Sequence, residues 1–226
     1  MGKVYIIGVG PGSPEYLTQK AELVIQNADI IIGYRHSLDV IRNLLDGKQV
    51  RQITLKTQEE VYADVVKSLD NKTCVITFTG DPSFSESEIV DRLIKIFGDV
   101  EIIPGISSVQ VAASKSKIPV DKSVIITFHI TGSIEKEKQI LLRAVGDNRS
   151  VIMLPRPWDF MPNQVAQFLQ ENGLDITRLN VDIYEFLTLS NEIVSKGVLS
   201  NIGERDYSDL CVMVIQGLER SSNGLT

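Results

Sequence analysis

Three short loops carry the residues whose types and spacing could do chemistry. Gly8-Val9-Gly10-Pro11-Gly12-Ser13 follows an apolar run at residues 4–7. Thr79-Gly80-Asp81-Pro82-Ser83-Phe84 follows a second run at 74–78, and Pro104-Gly105-Ile106-Ser107-Ser108 a third at 100–103. Glycine lets backbone approach a ligand closely or take positive φ, and proline fixes a turn. Taken singly, each loop reads equally well as a plain turn or, at Ser107, as a helix cap. The first loop also invites comparison with the dinucleotide-binding pattern Gly-x-Gly-x-x-Gly. It fails there: Ser13 stands where the third glycine belongs, and Asp29 opens the second strand instead of closing it. Cys74, Cys211, His36 and His129 are scattered without metal-ligand spacing, so no metal site is expected.

The loops gain meaning from the elements that hold them. The first half alternates strand patterns at 4–7, 29–32, 49–55, 74–78 and 100–103, those at 4–7 and 74–78 apolar runs, with helical patterns. The helices are a stretch capped by Thr18 and running to about 27, then 37–45, 57–69, 85–97 and 107–114. Such alternation predicts a parallel sheet with right-handed crossovers, the run at 74–78 being central. In open parallel sheets ligands bind beyond the carboxyl ends of the strands, which is where all three loops fall, so they can line one crevice. Pro119 disfavours helix just before it, and a domain boundary is expected between residues 117 and 118. Beyond it, a strand at 124–130, a helix at 135–145, a strand at 150–154 and a helix at 163–172 lead to three strand patterns, 179–186, 192–196 and 210–216. Successive strands without helices between them pair antiparallel, so the second sheet is expected to be mixed. The tail at 220–224 reads as frayed.

Composition sets the outer limits. The 226 residues allow one large domain or two small ones. Apolar residues are 43% and charged residues 23%, ordinary for a globular chain. The formal charge of −6 argues against broad nucleic-acid binding. No run approaches the length of a membrane helix, and the first residues lack the pattern of a signal peptide. Both cysteines lie in apolar β-branched runs and read as reduced core residues, consistent with a cytoplasmic protein.

The three loops, in this order and spacing, resemble those of the tetrapyrrole methylase family, and the resemblance covers nearly the whole chain. It implies two α/β domains, a mainly parallel one and a mixed one, with S-adenosylmethionine held in a cleft between them and S-adenosylhomocysteine as product. It implies cofactor contacts from Pro11, Gly80, Asp81, Phe84, Ser107, Ser108, Met153, Leu187 and Leu210, several through backbone groups. It also implies a homodimer. Within the family, Gly33-Tyr34-Arg35-His36-Ser37-Leu38 is similar to a Gly-x-Arg-His-x-Leu stretch of members that methylate C5 of cobalt-precorrin-7. Tyr184-Glu185-Phe186-Leu187 and Asp209-Leu210-Cys211-Val212 resemble later segments of the same members more loosely. Two stretches depart from the pattern: Phe128-His129-Ile130-Thr131-Gly132-Ser133, where Ser-Leu-His-Gly-Arg is usual, and Ser85-Glu86, where an aromatic or small residue precedes glycine. Some members carry a fused decarboxylating C15-methyltransferase domain; here a separate partner enzyme is expected.

The implied reaction needs positioning above all, because the macrocycle carbon is itself the nucleophile. A proton acceptor or relay can still help, and His36 and Glu185 are the candidates. The substrate, a corrinoid precursor, bears many carboxylates, and Arg35, His36, Lys117 and Arg156 are the expected contacts. His129 reads equally as a hydrogen-bonded core residue, and Trp158 as a ring that closes over the macrocycle or one that simply packs. The alternatives are a methylase of another corrin carbon, diphthine synthase, a nucleotide-dependent oxidoreductase and a non-catalytic tetrapyrrole carrier.

Overall fold

The computed structural model describes residues 2–217 apart from 85 and 204. The tail read as frayed and the first residue of the expected 85–97 helix lie outside the described residues. Contacts divide the chain into two units, one ending at Ser107 and one beginning at Ser108.

The first unit runs β1 (Lys3–Gly8), α1 (Gln19–Gln26), β2 (Ile30–Tyr34), α2 (Arg35–Val40), β3 (Gln49–Ile53), α3 (Gln58–Lys67), β4 (Thr73–Phe78), α4 (Ser87–Phe97) and β5 (Val100–Ile103). Its sheet has the order β3-β2-β4-β1-β5, every pair parallel, with β4 central as its unbroken apolar run predicts. Alternate side chains of one strand serve opposite faces. Ile6, Ile30, Ile32 and Ile76 pack with Tyr62, Val65 and Leu93 from α3 and α4. Ile7, Ile31 and Val75 pack with Ala21, Ile25 and Leu38 from α1 and α2. Thr18 caps α1 as expected, its hydroxyl accepting from the Ala21 amide at 3.2 Å. The second helix departs from its expected range. It starts at Arg35 and ends at Val40, and residues Arg42–Leu44 form a 3-10 turn.

The second unit runs α5 (Ser108–Lys115), β6 (Ser123–Thr127), α6 (Glu135–Gly146), β7 (Ser150–Leu154), α7 (Pro162–Glu171), β8 (Asn180–Glu185), β9 (Ile193–Val198) and β10 (Cys211–Ile215). The sheet order is β6-β7-β10-β8-β9. β6 and β7 are parallel and the other three pairs antiparallel, the mixed sheet the sequence implies. Leu141, Val145, Val165 and Leu169 from α6 and α7 pack with Val151, Met153, Ile183 and Met213 from the sheet. α5 packs on β7 and β10. The contacts therefore divide the chain ten residues before the boundary that Pro119 suggested. The stop at the end of α5 is nonetheless sharp. Lys117 takes φ +56°, the Lys117 amide donates to Ser114 O at 3.1 Å, and the Ile118 amide donates to Ala113 O at 2.8 Å. This is a Schellman end with lysine where glycine is usual.

Candidate functional site

In the first unit the loops after β1, β2, β4 and β5 share one edge, because all the strands are parallel. Gly10 and Gly80 form an antiparallel bridge: the Gly80 amide donates to Gly10 O at 2.7 Å and the Gly10 amide to Gly80 O at 3.3 Å. A β-carbon on Gly105 would lie 2.2 Å from Gly80 O, and one on Gly8 would lie 2.4 Å from the same oxygen. The three glycine loops thus meet backbone against backbone. Pro11 and Phe84 are half-buried at this junction. Asp81 turns its carboxylate onto its own loop, accepting from the Ser83 amide at 2.7 Å and the Ser83 hydroxyl at 2.5 Å. Ser107, buried, closes the unit. Arg35 and His36 open α2 at the same edge and are exposed, with Arg35 Nε 3.8 Å from Asp39.

Three features of this edge went unread in the sequence. Gly33 sits under a buried pair, Ser37 and Thr77, whose hydroxyls are 2.8 Å apart, and a β-carbon on it would fall 2.2 Å from Thr77 Oγ1. The Tyr34 hydroxyl donates to Gln58 Oε1 at 2.7 Å. Glu86, just ahead of α4, has its carboxyl pushed up to about 7 by burial. The only signal for Glu86 was its departure from the family pattern.

In the second unit, β7 and β8 both run antiparallel to β10, so their carboxyl ends and the start of β10 fall on one edge. The register sets Met213 beside Met153 and Cys211 beside Glu185. Met153, Leu187 and Leu210 therefore gather at this edge. Met153 is fully buried in the core, between β6 and β10 in the sheet. Leu187 is buried between two residues with left-handed backbone, Phe186 at φ +53° and Thr188 at φ +72°. The Phe186 amide donates to Leu210 O at 3.0 Å, and the Thr188 amide to Glu192 Oε2 at 2.7 Å.

The candidate polar residues of this unit have varied surroundings. Glu185 is buried, accepting from the Arg205 guanidinium and from the Ser208 amide at 2.8 Å. Arg156 is 7% exposed and grips Asp159 with two bonds of 2.5 and 2.7 Å. Its Nη1 donates to Gly132 O at 2.8 Å. Its guanidinium is thus engaged inside the unit; Lys117 is exposed. Burial lowers the His129 pKa, outweighing an opposing hydrogen bond to the Pro155 backbone and the charge of Asp209. Ser108 is the first residue of α5.

Among the described residues no group of His, Cys, Asp and Glu could hold a metal ion. No described helix is long and apolar enough to cross a membrane.

Residues 3–203 match the family of Tetrapyrrole (Corrin/Porphyrin) Methylases. A probable cobalt-precorrin-7 C(5)-methyltransferase of Methanocaldococcus jannaschii is 36% identical over 222 residues, covering 96% of this chain and 99% of that protein. A cobalt-precorrin-4 C(11)-methyltransferase of the same organism is 32% identical over 217 residues, covering 90% of this chain and 81% of that protein. Among solved structures, the methyltransferase CobJ superposes with a TM-score of 0.78 at 16% identity, covering 96% of this chain and 95% of that one, a likeness of fold.

Proposed function

The chain belongs to the tetrapyrrole methylase family and is a methyltransferase, and from that premise we propose that it transfers the methyl group of S-adenosylmethionine to C5 of cobalt-precorrin-7, giving cobalt-precorrin-8. The observation that carries the choice of substrate is the end-to-end match with the archaeal C(5) relative.

What supports a cofactor here is the convergence of three glycine loops, which pack backbone against backbone at Gly8, Gly80 and Gly105 and bring main-chain donors and acceptors to one edge of the sheet. The family resemblance names Pro11, Gly80, Asp81, Phe84, Ser107, Ser108, Met153, Leu187 and Leu210 as the cofactor's contacts. When bound, it supplies a methyl group on a positively charged sulfur. The protein's part is then orientation, which removes much of the entropic barrier to displacement. Arg35, His36 and Lys117, all exposed, offer cations or donors to the carboxylates of a corrinoid. Arg156 is spent on Asp159 and serves better as a support than as a ligand. Glu185 is pinned by Arg205 and Ser208, so of the two proton-acceptor candidates the exposed His36 is the one free to meet a substrate. A homodimer and a separate decarboxylating C15-methyltransferase complete the proposal.

The test is methyl transfer from isotopically labelled S-adenosylmethionine to cobalt-precorrin-7, with the label located by NMR. Label on C5 is expected. Label on C11 when cobalt-precorrin-4 is offered, with none on C5, would favour the second reading that the C(11) relative supports. Failure of S-adenosylhomocysteine to bind in a calorimeter would overturn both.

A further inference from the structure

We propose that the exposed indole of Trp158 is a preformed stacking surface for the planar macrocycle of the substrate, and that the buried guanidinium of Arg156 positions it. The inference rests on the corrinoid reading above and adds to it a recognition element.

Trp158 is the only tryptophan in the chain, and it is 66% exposed. An isolated exposed apolar residue needs no explanation in general. What sets this one apart is how firmly its loop is built. Arg156 and Phe160 close the loop as an antiparallel bridge, with backbone bonds of 3.1 and 3.0 Å. Phe160 is buried, its ring 4.8 Å from that of Phe128 and 5.7 Å from that of Phe168. Between these anchors the Arg156 fork holds Asp159, and its Nη1 ties the loop to Gly132 in the connection after β6. The Arg156 Cζ lies 5.5 Å from the centre of the indole. The cation thus lies against the ring.

Place argues with geometry. The loop leaves the carboxyl end of β7 directly after Met153 and Leu154, on the edge that also carries Leu187 and Leu210. A rigid aromatic plane presented at that edge suits a large flat ligand, because tryptophan offers wide contact area at small entropic cost. Flat ring systems stack on such a surface without demanding directional bonds.

The test reads the accessibility of this single tryptophan and the kinetics of its variants. Cobyrinic acid, a cobalt corrinoid with free carboxylates, should shield the wild-type indole from acrylamide in lifetime measurements, whereas S-adenosylhomocysteine alone should not. W158A should raise the corrinoid KM about tenfold, the scale of one lost stacking contact, with the S-adenosylmethionine KM unchanged. W158F should recover most of the loss. R156K keeps the charge but not the fork, and should raise the same KM severalfold while the indole gains mobility in fluorescence anisotropy. Shielding by S-adenosylhomocysteine would overturn the proposal in favour of the adenine ring. Shielding that grows with protein concentration alone would overturn it in favour of a second copy of the chain. Corrinoid binding that leaves Trp158 accessible, or an unchanged corrinoid KM in W158A, would overturn it while sparing the functional reading. A wild-type protein that binds no corrinoid would take down both.

Discussion

Gly8 and Gly105 touch backbone to backbone. A β-carbon added to Gly8 would stand 2.6 Å from the Gly105 amide nitrogen, and one added to Gly105 would stand 2.7 Å from the Gly8 carbonyl oxygen. Both also crowd the carbonyl of Gly80, so three loops from three neighbouring strands share a space without room for a methyl group. No flexible side chain lies in the way to yield. The obstacles are main-chain atoms held by the β1–β4 and β1–β5 ladders.

Gly105→Ala should therefore destabilise the first unit by about 3 kcal/mol or more, at or above the top of the usual range for overpacking. It should also abolish binding of S-adenosylhomocysteine. Gly146→Ala, in a position where an added β-carbon meets nothing within 4 Å, is the control. It should be neutral or stabilise by up to about 1 kcal/mol through helix propensity. Denaturant melts of the two variants check the contrast, and equal effects would show that the junction is not tight.

The convergence of the glycine loops was legible because topology alone demands it: loops after parallel strands fall on one edge whatever their sequence. The strands at 100–103 and 150–154 were legible to the residue, since each is a short, mostly apolar and β-branched stretch closed by a proline, Pro104 or Pro155. What escaped was decided by contacts far apart in sequence. The second helix begins at Arg35, before its apolar spacing does, where Gly33 lets the Ser37 hydroxyl reach Thr77. Arg156 read as a substrate contact because, although Asp159 is only three residues on, nothing local announces that Gly132, twenty-four residues earlier, will take the rest of its guanidinium. The helix at 108–115 follows the first sheet in sequence yet packs on β7 and β10, so Pro119 marked the end of a helix and not the division between units. Proline reports local backbone, whereas a unit boundary reports which core a helix buries its face against.

Glu86 gives the fold a pH dependence of unusual sign. Its carboxyl is raised to about 7 in the folded protein, because burial disfavours the charged form. The stability tied to it is fully present below pH ~4.5 and is lost as pH rises through about 7. The side chain is half-buried, so the loss amounts to about 1–3 kcal/mol. His129 works oppositely. Burial lowers its pKa from 6.5, so its contribution is present above 6.5 and falls away on acidification. Glu86→Gln should therefore be more stable than wild type at pH 8 and gain little at pH 4.5. Denaturation at the two pH values measures it, and identical gains at both would exclude a titrating Glu86.

The cysteines should be chemically silent in the native state. Burial pushes the Cys74 thiol up to about 12 and the Cys211 thiol higher still, so neither carries a useful thiolate fraction at pH 8. Iodoacetamide should label both in denaturant and neither in buffer. Fast labelling of Cys74 in the native protein would mean that the centre of the first sheet opens readily.

The strained turn after β8 offers the sharpest separation of structure from function. Thr188 is β-branched and sits at φ +72°, a conformation that costs of order 1–3 kcal/mol. Glu192 holds it there: one carboxylate oxygen accepts from the Thr188 amide at 2.7 Å and the other from Lys115 Nζ at 2.5 Å. Burial alone would raise the Glu192 pKa, but the bonds from Lys115 and the Thr188 amide outweigh it and hold the carboxyl below the usual carboxylate range. Stability from this clamp is thus present above pH ~4.5 and lost as pH falls through the lowered value. Glu192→Gln should cost about 1–2 kcal/mol. Thr188→Gly should recover about 1 kcal/mol by relieving the strain. If the clamp exists to hold the Leu187 backbone for the cofactor, E192Q should raise the S-adenosylmethionine KM severalfold with kcat nearly unchanged, and T188G should restore stability without restoring that KM. A T188G/E192Q double variant that regains both would make the turn a matter of stability alone.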